Sequence, residues 1–261
     1  MTPIHSPLND TSMNAMIITG ASSGIGRHLA FEYASRGFAL GLTARRFELL
    51  QKLRNEIYEK FGSNIKVEIR TLDVTDYKKI YSVLKDLAHS LGNITHVVAN
   101  AGLAGSSPIG SGKFLHDKFV IETNLIGAMA TVDAAAEIFK SQKSPGHIIG
   151  ISSIAGFRGF PGNASYCASK AGFTVFLESA RRDLKDFNIL VSTIHPGFIA
   201  TDINAHIPSK PFVVSVEKGA SELAKLIDQK VIVSSVPKFP WGLIGFLLKW
   251  IPNVIWQRLK F

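Results

Sequence analysis

Short apolar runs recur along the chain at residues 16–19, 38–43, 66–71, 95–99, 147–151 and 189–194, with amphipathic segments of helical length between them. Runs of this kind are strand candidates, and a helical pattern from residue 25 to about 35 follows the first of them directly. Strands separated by helices need crossover connections, so the alternation implies a mostly parallel sheet with helices on both faces. Such sheets bind ligands beyond the carboxyl ends of their strands. Several unusual residues of this sequence fall at those ends.

At 261 residues and 46% hydrophobic content, the chain suits one large domain better than two. Residues 13–235 form the expected body, preceded by a polar, flexible tail over 1–12 and followed by an extension over 236–261. Cys167 is the only cysteine, which excludes an internal disulfide and a thiolate metal cluster; no metal is expected. There is no secretory signal pattern and no run of about eighteen uninterrupted apolar residues, so a cytoplasmic protein is expected. The net charge of +9 suits nucleic acid, anionic membrane, an acidic partner or an anionic cofactor. No helix carries a dense Lys/Arg face interleaved with aromatics, which argues against nucleic acid.

Thr19-Gly20-Ala21-Ser22-Ser23-Gly24-Ile25-Gly26 joins the first strand to the first helix. Glycines there let the backbone turn tightly and approach a pyrophosphate, while the N–H groups and dipole of the helix start favour its charge. The strand before and the helix after make this a strong nucleotide signal. Following the second strand, Thr43-Ala44-Arg45-Arg46 stands where an NAD site would carry an acid for the ribose 2′-hydroxyl, and no acid occurs until Glu48. Arg45, with Arg46 as second candidate, suits a 2′-phosphate, so NADP(H) is expected over NAD(H). Asp73-Val74 and Asn100-Ala101-Gly102 close the third and fourth strands, positions suited to adenine and ribose contacts.

Tyr166 and Lys170 stand four residues apart at the start of an apolar helical stretch, with Ser153 thirteen residues upstream of the tyrosine. One helical turn puts phenol and ammonium on the same face. The cation is expected to lower a phenol pKa that is normally about 10, so that Tyr166 can serve as a general acid or base near neutral pH.

In order from residue 15 to 201, the glycine loop, Asp73, Asn100-Ala101-Gly102, Asn124, Ser153, Tyr166, Lys170 and Pro196-Gly197 resemble the motifs of the classical short-chain dehydrogenase/reductase family. The resemblance implies a single-domain, doubly wound Rossmann-type α/β fold and hydride transfer between a nicotinamide and a carbonyl or alcohol. It implies Tyr166 as proton donor in reduction and Ser153, rather than Ser152, as hydrogen-bond partner of the substrate oxygen. Lys170 would also bind the nicotinamide ribose, and Asn124 would support a water chain from the lysine to solvent. Beyond the sixth strand, Pro196-Gly197, the backbone of Ile199 and the hydroxyl of Thr201 would hold the nicotinamide carboxamide; His195 is expected to be structural. A homodimer through helices near 124–140 and 166–185 is implied as well, with a homotetramer as alternative. Small residues over 128–136 would permit close helix packing there.

The resemblance weakens in two places. Residues 204–215 occupy the position of the family's variable substrate loop, where Pro208 and Pro211 favour an irregular lid. With residues 103–112 and 154–162 they would frame a pocket made apolar by Phe157, Phe160, Phe198, Ile207 and Phe212. A hydrophobic carbonyl or alcohol is the expected substrate; a 3-oxoacyl thioester on an acidic carrier is the rival, and a non-catalytic NADP(H) sensor or scaffold is the rival of another class. The second departure is the extension, apolar and basic, which holds all three tryptophans. It is too short to span a bilayer comfortably. Two readings stay open for it: burial against the body or a neighbouring subunit, and contact with a membrane surface.

Overall fold

The computed structural model describes residues 14–105, 107–201, 203 and 211–259. Among them, β1 (Ala15–Thr19), β2 (Ala39–Ala44), β3 (Val67–Thr71), β4 (Ile94–Ala99), β5 (Gly146–Ile151), β6 (Ile189–Pro196) and β7 (Val233–Val236) form one parallel sheet in the order β3-β2-β1-β4-β5-β6-β7. Strands β1, β2 and β5 are buried at every position, which is why they read as unbroken apolar runs rather than alternating ones. The sequence pattern missed β7. It is a short Val-Ser-Ser-Val edge strand, paired to β6 from Thr193↔Val233 to Pro196↔Val236, with Val236 buried in the core.

The connecting helices are α1 (Gly24–Ala34), α2 (Phe47–Phe61), α3 (Tyr77–Leu91), α4 (Phe114–Ile121), α5 (Ala128–Gln142), α6 (Ala164–Asp183) and α7 (Val216–Asp228), followed by α8 (Trp241–Trp250) and α9 (Asn253–Trp256). Successive strand residues point to opposite faces. Thus Met16 and Ile18 pack with Leu29, Leu50 and Leu223 of α1, α2 and α7. Ile17 packs on the other side with Leu87, Phe139 and Phe173 of α3, α5 and α6. Ala128, Ala134, Ala135 and Ala136 are buried in this second core, so the small residues expected to serve a dimer contact are used within the chain.

A π-helical stretch, Glu122–Gly127, joins α4 to α5 and carries Asn124; such stretches are rare and recur at functional sites. The whole run Phe114–Gln142 is 29 residues long and apolar enough by composition to cross a membrane. It belongs to the layer covering the sheet, with Val120, Val132, Ile138 and Phe139 nearly or fully buried. Strand order reverses beside β1, where the chain crosses from β3 at one edge to β4. The crevice beyond the carboxyl ends of β1 and β4 is therefore the topological switch point.

Candidate active site

The ends of β1 and β4 are tied together before the glycine loop begins. Thr19 Oγ1 accepts from the N–H groups of Asn100 and Ala101 at 3.1 and 3.2 Å, and Asn100 Nδ2 donates to the Thr19 and Gly20 carbonyls at 2.9 and 3.3 Å. The Asn100 amide thus shapes the loop. Gly20 has φ +68°, and a Cβ there would lie 2.7 Å from Ala101 Cα; one on Gly26 would lie 2.6 Å from both Asn100 Nδ2 and the Gly20 carbonyl oxygen. Only glycine allows these approaches. Ser23 is the N-cap of α1, yet its hydroxyl makes no capping bond. A cavity of about 310 Å³ opens at this helix start, bordered by Ser22, Ser23, Gly24, Arg46, Ala200 and Thr201. Backbone donors, the positive helix end and a side-chain-free cradle fit a dinucleotide pyrophosphate.

Of the two candidate arginines, Arg46 reaches this loop: its Nη2 donates to Ser22 Oγ at 3.1 Å and Ser23 Oγ at 2.9 Å. Arg45 lies instead over Phe119, 5.8 Å from the ring centroid. Arg27 and His28 also border the cavity, but Arg27 is paired with Glu56, and His28 Nε2 lies 3.4 Å from Glu217. Asp73 accepts from the N–H and hydroxyl of Thr75 at 3.0 and 2.9 Å, closing the turn after β3. Val74 is buried there under the π-helical stretch, where a Cβ on Gly127 would lie 2.5 Å from the Val74 carbonyl oxygen. On the far side, Thr201 donates to the Ile199 carbonyl at 3.3 Å, and a Cβ on Gly24 would meet its methyl at 3.5 Å.

After β5 the two serines diverge. Ser152 Oγ donates to the Lys170 carbonyl at 3.0 Å and lies 2.8 Å from Thr174 Oγ1, fastening this strand end to α6. Ser153 Oγ accepts from Ala155 N–H at 3.1 Å and also hydrogen-bonds the Tyr166 side chain. Lys170 Nζ donates to the Ile151 carbonyl at 2.9 Å and stands 5.9 Å from the Tyr166 ring centroid. Asn124 is clamped to Leu103, accepting from its N–H at 2.8 Å and donating to its carbonyl at 2.9 Å. A Cβ on Gly102 would lie 3.2 Å from Asn124 Oδ1 and 3.6 Å from Lys170 Nζ. The end of β4, the π-helical stretch and α6 thus converge on one point.

Burial dominates the electrostatics here. Desolvation pushes the Tyr166 pKa up, and the Ser153 hydrogen bond pulls it only partly back. Burial likewise brings Lys170 down to about 8. The phenol is raised rather than lowered as expected: desolvation is the largest effect on Tyr166, and the Lys170 ammonium gives its hydrogen bond to the Ile151 carbonyl rather than to the phenol. His195 has a supporting position that a lone histidine in a sequence does not reveal. Its Nδ1 lies 3.2 Å from the Ser153 carbonyl and its ring 4.4 Å from that of Phe157; a carbonyl acceptor there makes Nδ1 the protonated nitrogen.

The extension packs onto this site. Trp241 is 3% exposed and lies against Gly197, where a Cβ would sit 2.4 Å from the indole. Phe198 and Phe212 flank it at centroid distances of 5.6 and 6.1 Å. A Cβ on Gly245 would lie 2.6 Å from the Phe157 ring, and Trp256 Nε1 donates to the Gly159 carbonyl at 3.1 Å with its ring 5.3 Å from Phe160. Trp241 thus backs Phe198 and Phe212, Trp256 backs Phe160, and Phe157 lies between Gly245 and His195. Ile207 and Pro208 lie outside the described residues.

A family model described as short chain dehydrogenase matches residues 14–211. An uncharacterised oxidoreductase of Mycobacterium tuberculosis is 34% identical over 252 residues, which cover 96% of this chain and 99% of that protein. Among solved structures, an alcohol dehydrogenase from the archaeon Thermococcus sibiricus, complexed with 5-hydroxy-NADP, aligns with a TM-score of 0.77 at 25% identity, over 86% of this chain and 95% of that one. A short chain dehydrogenase/reductase from Burkholderia phymatum in complex with NAD shares the fold at a TM-score of 0.82 and 19% identity, over 95% of this chain and 96% of that one. The chain belongs to the classical short-chain dehydrogenase/reductase family and is an oxidoreductase for CH–OH or C=O groups that uses a nicotinamide cofactor.

Proposed function

We propose that the protein is an NADP(H)-dependent reductase of an apolar carbonyl compound, able to run in reverse as an alcohol dehydrogenase. The observation that carries this reading is the convergence of Ser153, Tyr166 and Lys170 beyond the end of β5, in a fold whose glycine cradle fits a dinucleotide. The cofactor, when bound, supplies or accepts the hydride. Gly20, Ser22, Ser23, Gly24, Ile25 and Gly26 would hold its pyrophosphate, Asp73, Val74, Ala101 and Gly102 its adenosine side, and Pro196, Gly197, Ile199 and Thr201 its nicotinamide end. Arg46, already on the loop serines, supports a 2′-phosphate.

Ser153 would hold the substrate oxygen beside the phenol. With its pKa raised, Tyr166 keeps its proton across the neutral range and can give it to the oxygen as the carbonyl is reduced. Alcohol oxidation needs the unprotonated phenol and gains as pH rises. Lys170, at about 8, stays largely cationic at neutral pH and stabilises negative charge developing at the phenol. Asn124 holds Leu103 in place beside the lysine. Phe157, Phe198, Phe212 and Trp241 supply the apolar wall.

The test is NADPH oxidation against ketones, aldehydes, quinones and 3-oxoacyl thioesters, with NADH in parallel. Tyr166→Phe is expected to lose turnover by at least about 100-fold while keeping NADPH affinity. Undiminished turnover in that variant would remove Tyr166 from the chemistry. NADPH binding without turnover of any class would favour the sensor reading.

A further inference from the structure

Helix α8 is apolar on both sides, and the described fold covers only one of them. Trp241, Ile244, Gly245 and Leu248 follow helical spacing and form its buried or half-buried face. On the other face, Leu243, Phe246, Leu247 and Trp250 are 57, 61, 55 and 73% exposed. Phe239 before the helix and Val254 in α9 are exposed as well, at 79% and 63%. Contiguous apolar surface of this kind marks an interaction site.

Charge identifies the occupant. From Lys230 to Phe261 the sequence contains no Asp or Glu. Lys238 and Arg258 are exposed and pair with no carboxylate among the described residues, while Lys249 reaches over the Phe157 ring at 4.5 Å. A second copy docked on the same face by two-fold symmetry would set like charges against one another without an acid to neutralise them. Acidic headgroups would neutralise these cations while Trp, Phe and Leu enter the boundary of the acyl region.

We propose that α8 and α9 form a membrane-docking element that seats the protein on an anionic lipid bilayer. With ten residues, α8 lies in the interface and does not span it. Trp241 at its base packs on Phe198 and Phe212, so docking sets the apolar wall of the pocket beside the lipid. Entry of an apolar substrate from the bilayer follows; that consequence alone rests on the proposed function.

The test is flotation of the full chain with phosphatidylcholine vesicles, with and without phosphatidylserine. The wild type is expected to float with the phosphatidylserine vesicles. The double variant Phe246→Glu, Leu247→Glu should lose vesicle binding at least about tenfold, and the double variant Lys238→Glu, Arg258→Glu at least about fivefold. All four positions are exposed, so both variants should keep the wild-type melting temperature and NADPH oxidation with a water-soluble carbonyl. A wild type that stays at the bottom of the gradient overturns the proposal, as does equal flotation of wild type and the Phe246/Leu247 variant. It is also overturned if the lipid-free wild type elutes at twice the mass of that variant, which would assign the face to a second copy. Flotation without turnover of any carbonyl would refute the reductase reading and leave the docking intact.

Discussion

Replacing Lys170 with methionine is expected to stabilise the protein while abolishing its turnover. The lysine is 5% exposed, and burial lowers its pKa from 10.5 to about 8. That difference of about 2.5 pH units corresponds to roughly 3 kcal/mol by which the folded chain disfavours the ammonium. Below pH 8 both folded and unfolded chains carry the proton, and the penalty is fully present. Between pH 8 and 10.5 the unfolded chain binds more protons, so stability rises with pH, and above 10.5 the penalty is gone. Lys170→Met removes the charge but leaves the Ile151 carbonyl without its donor, which costs about 1 kcal/mol. The net gain at pH 7 is therefore about 2 kcal/mol, a rise of about 4 to 8 °C in Tm for a chain of this size. Urea and thermal melts of both proteins at pH 7 and pH 10, with NADPH oxidation alongside, measure it. A variant less stable than wild type at pH 7, or a stability difference that stays constant up to pH 10, would refute the reasoning. A buried cation retained against stability is the trade-off expected at a candidate active site.

Arg46→Ala should raise the KM for NADPH by about 10-fold or more, the loss of one charge-assisted contact, and leave NADH kinetics nearly unchanged; an equal loss with both cofactors would exclude a 2′-phosphate role. Gly197→Ala drives a methyl into the Trp241 indole, and overpacking of about 1–3 kcal/mol should lower Tm and red-shift tryptophan emission; unchanged melting would mean that α8 yields freely. His96 and His147 lie ring to ring at 5.4 Å in the core, with pKa values lowered by burial from 6.5 to about 4 and about 3. Below pH 6.5 the unfolded chain takes up protons that the folded chain refuses, so each histidine should remove about 2 kcal/mol of stability by pH 5. His96→Phe, which fits beside Phe38 and Tyr33, should flatten the dependence of the urea midpoint on pH, and an unchanged slope would count against the pair as its source.

The central parallel strands were legible because burial on both faces turns each into an apolar run, as in Ala15–Thr19. Edge strand β7 was not, since two of its four residues are serine and it pairs on one side only, with β6. The π-helical stretch was equally hidden. Glu122–Gly127 looks like ordinary helix, and its distinctive contact, Gly127 pressed onto the Val74 backbone, joins segments far apart in the chain.

The sequence by itself determined the crossover architecture and the order of the candidate residues for binding a dinucleotide and moving a proton. Local spacing suffices for that, because helical repeat and strand alternation act over a few residues. Tertiary structure decided the rest. It placed Arg46 rather than Arg45 on the loop serines, set Trp241 against Gly197, and raised Tyr166 while lowering Lys170. Each of these follows from desolvation or contact between segments distant in sequence, and such energies exist only once the chain has closed around them.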